Sequence, residues 1–560
     1  MAQHVFEALA DAFVAEGIQT CFALLGDANM NFATVLSQRG AKMIYVRHEH
    51  CAVAAATAYA RKSGSVGIAT VTCGPGLTQV MTALPAAVRA GIPLVIFAGE
   101  APASAAWYNQ EIDQAPFVTA CGAVYRRLHH IPRMAEEIRN AFVQAKQDRI
   151  PVVIGVPFDL QGKILDVAPK LPAPSADILP DLPPLPPHPD VVHTLAGRIN
   201  AAKRIVVMGG LGAAAPDAAD ACRALAHKAG ALLATTLPAR GLFHDDPFCV
   251  GIAGGMSTTL AHALFAEADL VIAVGCRLTL HNLYGGMLFP KAGIIQIDTD
   301  PRALSQGMVA ADFHLRSDAR LGVEALTAML TPRPGWRTDR LARVISDAPC
   351  DTAGFPSEAG LSDPRDVVTA LDAALPQGWQ MVNSSGHCSF YFAHMKRPFE
   401  TFLTIREFGA IGNGISYAMG VAAAKPGDTV VMFDGDGSLL MHIQELETIR
   451  RHKLNILICV LNDGAYGSEI HKLRGEGLPD TGAVFGRTDL AAIARGFGIG
   501  GDRITDLTRL PELVADFAGT GGAAVWDFPV SDRVVSPVIR RAHPGGHVGT
   551  EYPVNIEELL

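Results

Sequence analysis

The sequence lacks a surplus of basic charge and any long apolar run. Its 560 residues carry 46 Lys and Arg against 55 Asp and Glu, a net charge of −9 at pH 7. Without a chain-wide basic field, nucleic acid is not expected as a partner. The longest apolar runs, such as residues 456–461, are too short to cross a bilayer, and no signal peptide pattern opens the chain. We therefore expect no membrane association.

Paired cysteines are also missing. The ten cysteines are scattered, and no two of them form a C-x-x-C pair. This spacing argues against a zinc ribbon, a dithiol redox motif and a disulfide framework. A reduced, cytoplasmic enzyme is the interpretation that fits best.

Short β-rich runs alternate with Ala-rich helical stretches along the whole chain, a pattern typical of α/β proteins with parallel sheets. The length predicts three or four domains. A Pro-dense stretch at residues 168–190 predicts a linker, and residues 331–364 are a second, weaker candidate for one. We therefore predict three doubly wound parallel-sheet domains, followed by a polar tail to Leu560 that could serve as a mobile lid. Their predicted ranges are 1–167, 188–330 and 362–545.

Acidic and small residues follow two neighbouring strands of the third domain. The segment Asp434-Gly435-Asp436-Gly437-Ser438 comes directly after the run TVVMF, and Asn462-Asp463-Gly464 follows NILICVL. Strand ends at one sheet edge are where α/β folds bind ligands. Carboxylates placed there suit Mg²⁺, which prefers oxygen ligands and keeps part of its shell for phosphate and water.

This pattern resembles the signature of the thiamine-diphosphate (ThDP) enzymes, which opens with Gly-Asp-Gly and closes with an Asn-containing loop. The resemblance implies that Asp436, Asp463 and the carbonyl of Ala465 bind Mg²⁺, with Asn462 left open as an alternative to Asp463. It also implies cofactor contacts from Gly435, Asp436, Gly437 and Ser438.

Other segments resemble the same family. Residues 45–54 (YVRHEHCAVA) are similar to the acetolactate synthase and pyruvate oxidase branch, which implies that Glu49 activates the cofactor through its pyrimidine ring. The turn at 407–422 resembles the one whose apolar side chain bends ThDP, which assigns Gly409 and Ile411. The loop after QMVN implies diphosphate contacts from Gly386, His387 and Cys388.

The domain order resembles the family's pyrimidine-binding, central and diphosphate-binding domains, in that order. In the family the first and third domains meet across two subunits. A homodimer or homotetramer with active sites between subunits is therefore implied.

The residues expected to contact the substrate resemble two different enzymes of the family. Asp27 in Gly-Asp-Ala-Asn resembles the proton relay of pyruvate decarboxylase, and Glu469 matches that enzyme's catalytic glutamate. Two carboxylates facing one dry pocket could divide acid and base roles. Gln110, in contrast, resembles the substrate contact of acetolactate synthases.

Flavin is a separate question, because several members of this branch hold FAD in the central domain. Arg277 matches an FAD-contacting Arg of those members, and Asp298 and Asp300 match positions near the adenosine. The usual Phe-Asp-Asp-Arg is absent after Arg277. FAD is possible and is not predicted.

The resemblance implies a ThDP- and Mg²⁺-dependent decarboxylase or carboligase acting on a 2-oxo acid or related ketone through a C2 carbanion and an enamine. Three alternatives stay open: an acetolactate synthase proper, a flavin-coupled oxidase, and a catalytically silent ThDP-fold regulatory subunit.

Overall fold

The computed structural model describes residues 3–545 and contains three six-stranded parallel sheets with helices on both faces. The central strands are buried along their whole length, as in Pro151–Pro157 and Ile456–Asn462, because parallel sheets are covered on both sides. The predicted fold class is confirmed. The predicted C-terminal lid falls on residues 546–560, outside the described part of the chain.

The first sheet has the strand order β3-β2-β4-β5-β7-β6, and β1 and β8 form a separate antiparallel pair. The pair consists of β1 (Gln3–His4) and β8 (Ile164–Leu165), and the six strands of the sheet are β2 (Thr20–Ala23), β3 (Lys42–Tyr45), β4 (Gly67–Val71), β5 (Leu94–Glu100), β6 (Val124–Arg127) and β7 (Pro151–Pro157). The accompanying helices are α1 (Val5–Ala15), α2 (Met30–Gln38), α3 (Glu49–Ser63), α4 (Pro75–Thr78), α5 (Ala83–Ala90), α6 (Gln114–Ala120), α7 (Met134–Asp148), α8 (Phe158–Gln161) and α9 (Ser175–Ile178).

The second sheet has the order β11-β10-β9-β12-β13-β16, the arrangement of dinucleotide-binding folds. Its strands, with a small β14–β15 hairpin, are β9 (Ile205–Gly209), β10 (Leu232–Thr235), β11 (Cys249–Ile252), β12 (Leu270–Val274), β13 (Gly293–Asp298), β14 (Leu304–Ser305), β15 (Met308–Val309) and β16 (Phe313–Arg316). The helices are α10 (Pro189–Ala201), α11 (Ala218–Ala229), α12 (Thr259–Ala266), α13 (Ala319–Ala328) and α14 (Asp339–Asp347).

The third sheet has the order β18-β17-β19-β20-β22-β21, which repeats the strand order of the first. Its strands are β17 (Gln380–Asn383), β18 (Phe402–Thr404), β19 (Val430–Gly435), β20 (Ile456–Asn462), β21 (Gly500–Arg503) and β22 (Ala523–Pro529). The helices are α15 (Pro364–Ala374), α16 (Ser389–Ala393), α17 (Gly414–Ala424), α18 (Asp436–Met441), α19 (Glu445–Arg451), α20 (Gly467–Gly475), α21 (Leu490–Gly496), α22 (Leu510–Thr520) and α23 (Pro537–Ala542).

Part of the segment predicted as a second linker is folded onto the central sheet. Trp336 is buried and its indole N–H donates to the carbonyl of Ile205, 2.9 Å away. Leu341 in α14 is buried in the same hydrophobic cluster. The Pro-rich flanks made this stretch resemble a linker, whereas its two large apolar side chains hold it against the domain. The domain boundaries themselves remain predictions.

The first and third domains share one hydrophobic core, in which α3 packs against α17. Small side chains let the two helices approach closely. A Cβ atom added at Gly420 would lie 2.2 Å from the carbonyl oxygen of Ala55, so only glycine fits there. This contact fixes the position of Glu49, which begins α3, relative to the third sheet.

We expect Gly420→Ala to lower the free energy of unfolding by about 1–3 kcal/mol, because the added methyl must push two packed helices apart. The matched control is Gly197→Ala in α10, where a Cβ meets nothing within 4 Å. That change should stabilise the chain by about 0.5–1 kcal/mol through helix propensity. Chemical denaturation of both variants measures the difference. Equal stability changes in the two variants would contradict the close-approach argument.

Candidate active site

A cleft opens at the carboxyl edge of the third sheet. It lies where the loops after β17 and β19 diverge, which is the switch point at which such sheets bind ligands. Most of the predicted residues of this domain line it, namely Gly386, His387, Cys388, Ile411, Gly435, Asp436, Gly437, Ser438, Asp463, Ala465 and Glu469.

Two carboxylates face each other in this cleft. Asp436 accepts hydrogen bonds from the backbone N–H groups of Gly437 (2.9 Å) and Gly464 (2.8 Å), and Asp463 accepts one from Ala465 (3.1 Å). Burial raises the pKa of both carboxyls, and the neighbouring charge of Asp436 raises the pKa of Asp463 further. Two desolvated carboxylates in contact favour a bound cation.

Oxygen donors of this kind suit Mg²⁺ and leave coordination positions for phosphate and water. In residues 3–545, no three His, Cys, Asp or Glu side chains lie close enough together to hold one metal ion, and this includes the surroundings of the two carboxylates. A cation held here would therefore need backbone carbonyl, phosphate or water ligands besides the two carboxylates.

Asn462, the alternative to Asp463, faces away from the cleft. Its side-chain amide donates to Asp527 Oδ1 (2.8 Å) and to the carbonyl of Thr488 (2.9 Å), and the residue is fully buried. The sequence register left both residues open. The structure distinguishes them through Asp527, which lies on β22, far along the chain, and binds the Asn462 side chain.

The other side of the cleft carries hydrogen-bond donors for an anion. Ser385 is buried, and its hydroxyl has no hydrogen-bond partner in the described chain. His387 Nε2 accepts a bond from the Ser536 backbone N–H (3.0 Å), so its ring proton resides on Nδ1. Burial lowers the pKa of His387 to about 4, which keeps the ring neutral. Ser385 was not among the predicted contacts, although it directly precedes Gly386.

Two internal contacts shape the cleft floor. Ser438 lines it, but its hydroxyl donates to Asp434 Oδ2 (2.9 Å) and accepts from the Gly412 N–H (2.8 Å). This bond ties the loop that carries Ile411 to the Asp436 segment. A Cβ at Gly467 would lie 2.7 Å from Asp463 Oδ2, so a side chain there would displace the carboxylate.

Two predicted residues of this domain occupy more open positions. Gly409 is exposed and is not among the residues that line the cleft. Glu469, near the start of α20, does line it, with its side chain 54% exposed and 3.3 Å from Lys472.

Residues predicted from the first domain gather at the carboxyl edge of the first sheet. Glu49 Oε1 lies 3.5 Å from the position of a Cβ on Gly76. Asp27 accepts a hydrogen bond from the Tyr108 hydroxyl (3.4 Å), and Gln110 Oε1 accepts one from the Cys73 thiol (3.4 Å). Within the described chain, none of these three side chains lines the cleft of the third sheet.

The residues weighed for FAD make contacts within the protein. Arg277 donates to the carbonyl of Arg89 in the first domain (3.1 Å). Asp298, at the end of β13, accepts a bond from the Asp300 backbone N–H (3.0 Å).

The three sheets and the cleft define an α/β enzyme built on two domains of like topology around a dinucleotide-type domain. Family models support this class. The N-terminal TPP binding domain of thiamine pyrophosphate enzymes matches residues 3–117, their central domain matches 192–326, and their C-terminal TPP binding domain matches 384–528. The chain belongs to the thiamine pyrophosphate enzymes, and thiamine diphosphate is its cofactor.

Curated relatives span nearly the whole chain. A probable acetolactate synthase large subunit of Methanocaldococcus jannaschii is 28% identical over 99% of this chain and 96% of its own length. The acetolactate synthase isozyme 2 large subunit of Escherichia coli is 29% identical over 88% of this chain and 89% of its own. A chloroplastic acetolactate synthase 1 of Zea mays is 27% identical over 92% and 83%. In residues 3–545, no helix combines the length and apolar character that crossing a membrane requires.

In protein freed of cofactor and metal, we expect Asp463→Asn to raise the free energy of unfolding by about 1–3 kcal/mol near pH 8, because it removes one of two buried like charges. The folded-state pKa is raised, so wild type loses stability as pH rises above the ordinary range of a carboxyl. The gain should therefore fade towards pH 4. Thermal unfolding across pH, with exposed Asp502→Asn as control, measures it. A gain independent of pH would contradict the assignment.

Proposed function

We propose that this enzyme uses ThDP and Mg²⁺ to decarboxylate a 2-oxo acid, or to join its acyl group to a second carbonyl compound. The observation that carries the proposal is the pairing, in one cleft, of two buried carboxylates with the Ser385 hydroxyl, which has no hydrogen-bond partner among residues 3–545. The family models and the names of the relatives support the same reaction class.

Mg²⁺ would be held by the carboxylates of Asp436 and Asp463 and by the Ala465 carbonyl. The close contact of the two carboxylates supports this assignment, since a divalent cation would neutralise both. The bonding of Asn462 to Asp527 favours Asp463 over Asn462 as the ligand.

The diphosphate would receive hydrogen bonds from the Ser385 hydroxyl and the neutral His387 Nδ1–H. Gly386, Cys388, Gly435, Gly437 and Ser438 would surround it with small side chains. Ile411, beneath the same cleft, would support the bent cofactor. For Gly409, the only support for a cofactor contact is its place in the turn that carries Ile411.

When bound, thiamine diphosphate supplies a carbon nucleophile and an electron sink for the carbonyl compound. Glu49 would hold the pyrimidine ring through its carboxylate. Asp27, Gln110 and Glu469 would orient the substrate, and the two carboxylates among them would move protons to and from it.

Glu49 and the cleft would meet between two copies of the chain. Large apolar side chains are exposed around both edges, which suits a contact surface. On the first domain they are Leu25, Met30, Trp107, Ile112 and Phe117, and on the third domain Met441, Tyr466, Leu478, Val484 and Phe485. We propose a homodimer, either alone or as half of a homotetramer.

An acetolactate synthase proper is the second candidate. The names of the relatives favour it, as does Gln110 beside Cys73 in the first domain. Asp27 favours a decarboxylase instead.

The reaction class is tested by measuring carbon dioxide release from a panel of 2-oxo acids with ThDP and Mg²⁺, with products identified by mass. We expect release together with an aldehyde or a hydroxyketone, and acetolactate from pyruvate would select the second candidate. Glu49→Gln should lower the rate at least about 100-fold. Silence of the wild-type enzyme across the panel would overturn the proposed reaction.

The shared site is tested by mixing two inactive variants, Glu49→Gln and Asp436→Asn, and allowing subunits to exchange. Half of the dimers would then combine one copy of each, and each of these has one intact site, so about a quarter of wild-type activity should return. The control mixture, Asp436→Asn with Asp463→Asn, has no intact site and should stay inactive. If the first mixture also stays inactive despite demonstrated exchange, the sites lie within single chains.

A further inference from the structure

Most buried arginines around the third domain have clear partners. Arg240 reaches from the central domain and donates to the carbonyls of Ala393, Met395 and Arg397. Arg397 pairs with Asp372 (2.9 Å), and Arg540 pairs with Asp351 (2.7 Å). These contacts are what a buried cation requires.

Arg406 differs from all of them. It is partly buried in the loop that follows β18, and its guanidinium forms no ion pair within residues 3–545. Its one hydrogen-bonding contact there runs from Nη1 to Met256 Sδ, 3.8 Å away, and a thioether is a weak acceptor. Burial lowers the pKa of Arg406, since water has been withdrawn and no carboxylate of residues 3–545 pairs with the guanidinium in its place.

The carboxylate of Glu407, the next residue in the chain, does not form an ion pair with the Arg406 guanidinium. Glu407 accepts a bond from the Arg406 backbone N–H (2.9 Å) and directs its other oxygen towards Arg61, 3.9 Å away. The Arg406 side chain therefore keeps most of its five N–H donors for a group outside the described chain.

Arg406 lies between the cleft and the central domain. Met256 belongs to the central-domain loop after β11. Cys388 lines the cleft; burial raises the pKa of its thiol, and the nearby positive charge of Arg406 opposes that shift. A planar, permanently charged fork at this junction matches the geometry of a carboxylate.

We propose that Arg406 binds a substrate carboxylate that is remote from the reacting carbonyl group. The enzyme would then prefer 2-oxo acids that carry a second acidic group. This inference rests on the proposed function and adds a substrate class to it. A guanidinium withdrawn from water without an anionic partner is typical of a residue whose partner is a ligand.

The first test compares 2-oxoglutarate with its uncharged 5-amide, which has nearly the same shape. Wild type should favour the diacid in kcat/KM by about 10- to 100-fold, the effect of a hydrogen-bonded charge pair. Arg406→Gln should bring that ratio close to one while turnover of the amide is retained, and Arg406→Lys should keep part of it. The control Arg343→Gln, an exposed arginine on α14, should leave the ratio unchanged. An unchanged ratio in Arg406→Gln overturns the proposal.

A second test does not depend on turnover, so it separates this inference from the proposed reaction. Glutarate should raise the unfolding temperature of the wild-type protein and not that of Arg406→Gln, because only the folded wild type binds it. Without ligand, Arg406→Gln should unfold at the same temperature as wild type or higher. A clearly lower temperature would assign Arg406 a structural role, and a shift with inorganic phosphate but not glutarate would overturn the carboxylate assignment.

Discussion

The contact between Asp436 and Asp463 is the constraint on which the cleft depends. Two carboxylates at the ends of adjacent strands lose their water when the sheet is covered, so the apo fold keeps an electrostatic cost that a cation can offset. Their positions are fixed by backbone N–H groups of Gly437, Gly464 and Ala465. The surroundings adapt to the pair, since Gly467 must lack a side chain for Asp463 to keep its place.

Because the first and third sheets have the same strand order, the other candidate site residues lie at the carboxyl edges of two separate sheets. Each sheet presents polar residues at its carboxyl edge, with Glu49 and Gln110 on one and Asp436 and Ser385 on the other. The shared core of α3 and α17 holds the two domains together without bringing Glu49 into the cleft of the same chain. The proposed homodimer would let a second copy of the chain supply Glu49 to this cleft, and the exposed apolar side chains around both edges are consistent with that proposal.

The sheets and the acidic pair could be predicted because both depend on short stretches of sequence. Buried strands appear as continuous apolar runs, and a carboxylate that follows such a run lies at the sheet edge. The remaining features depend on distant partners. Asn462 is turned away by Asp527, the linker segment is held down by Trp336, and the isolation of Arg406 becomes visible only when Met256 is placed beside it. Neither composition nor spacing carries that information.

The most direct test of the account is a calorimetric titration of ThDP into metal-free protein, repeated with Mg²⁺ and with the Asp463→Ala variant. If the acidic pair and Ser385 form the diphosphate site, wild type binds ThDP tightly only with Mg²⁺, and the variant loses most of that metal-dependent gain. Equal ThDP affinity with and without Mg²⁺ in the wild-type protein would contradict the assignment of Asp436 and Asp463 to the metal.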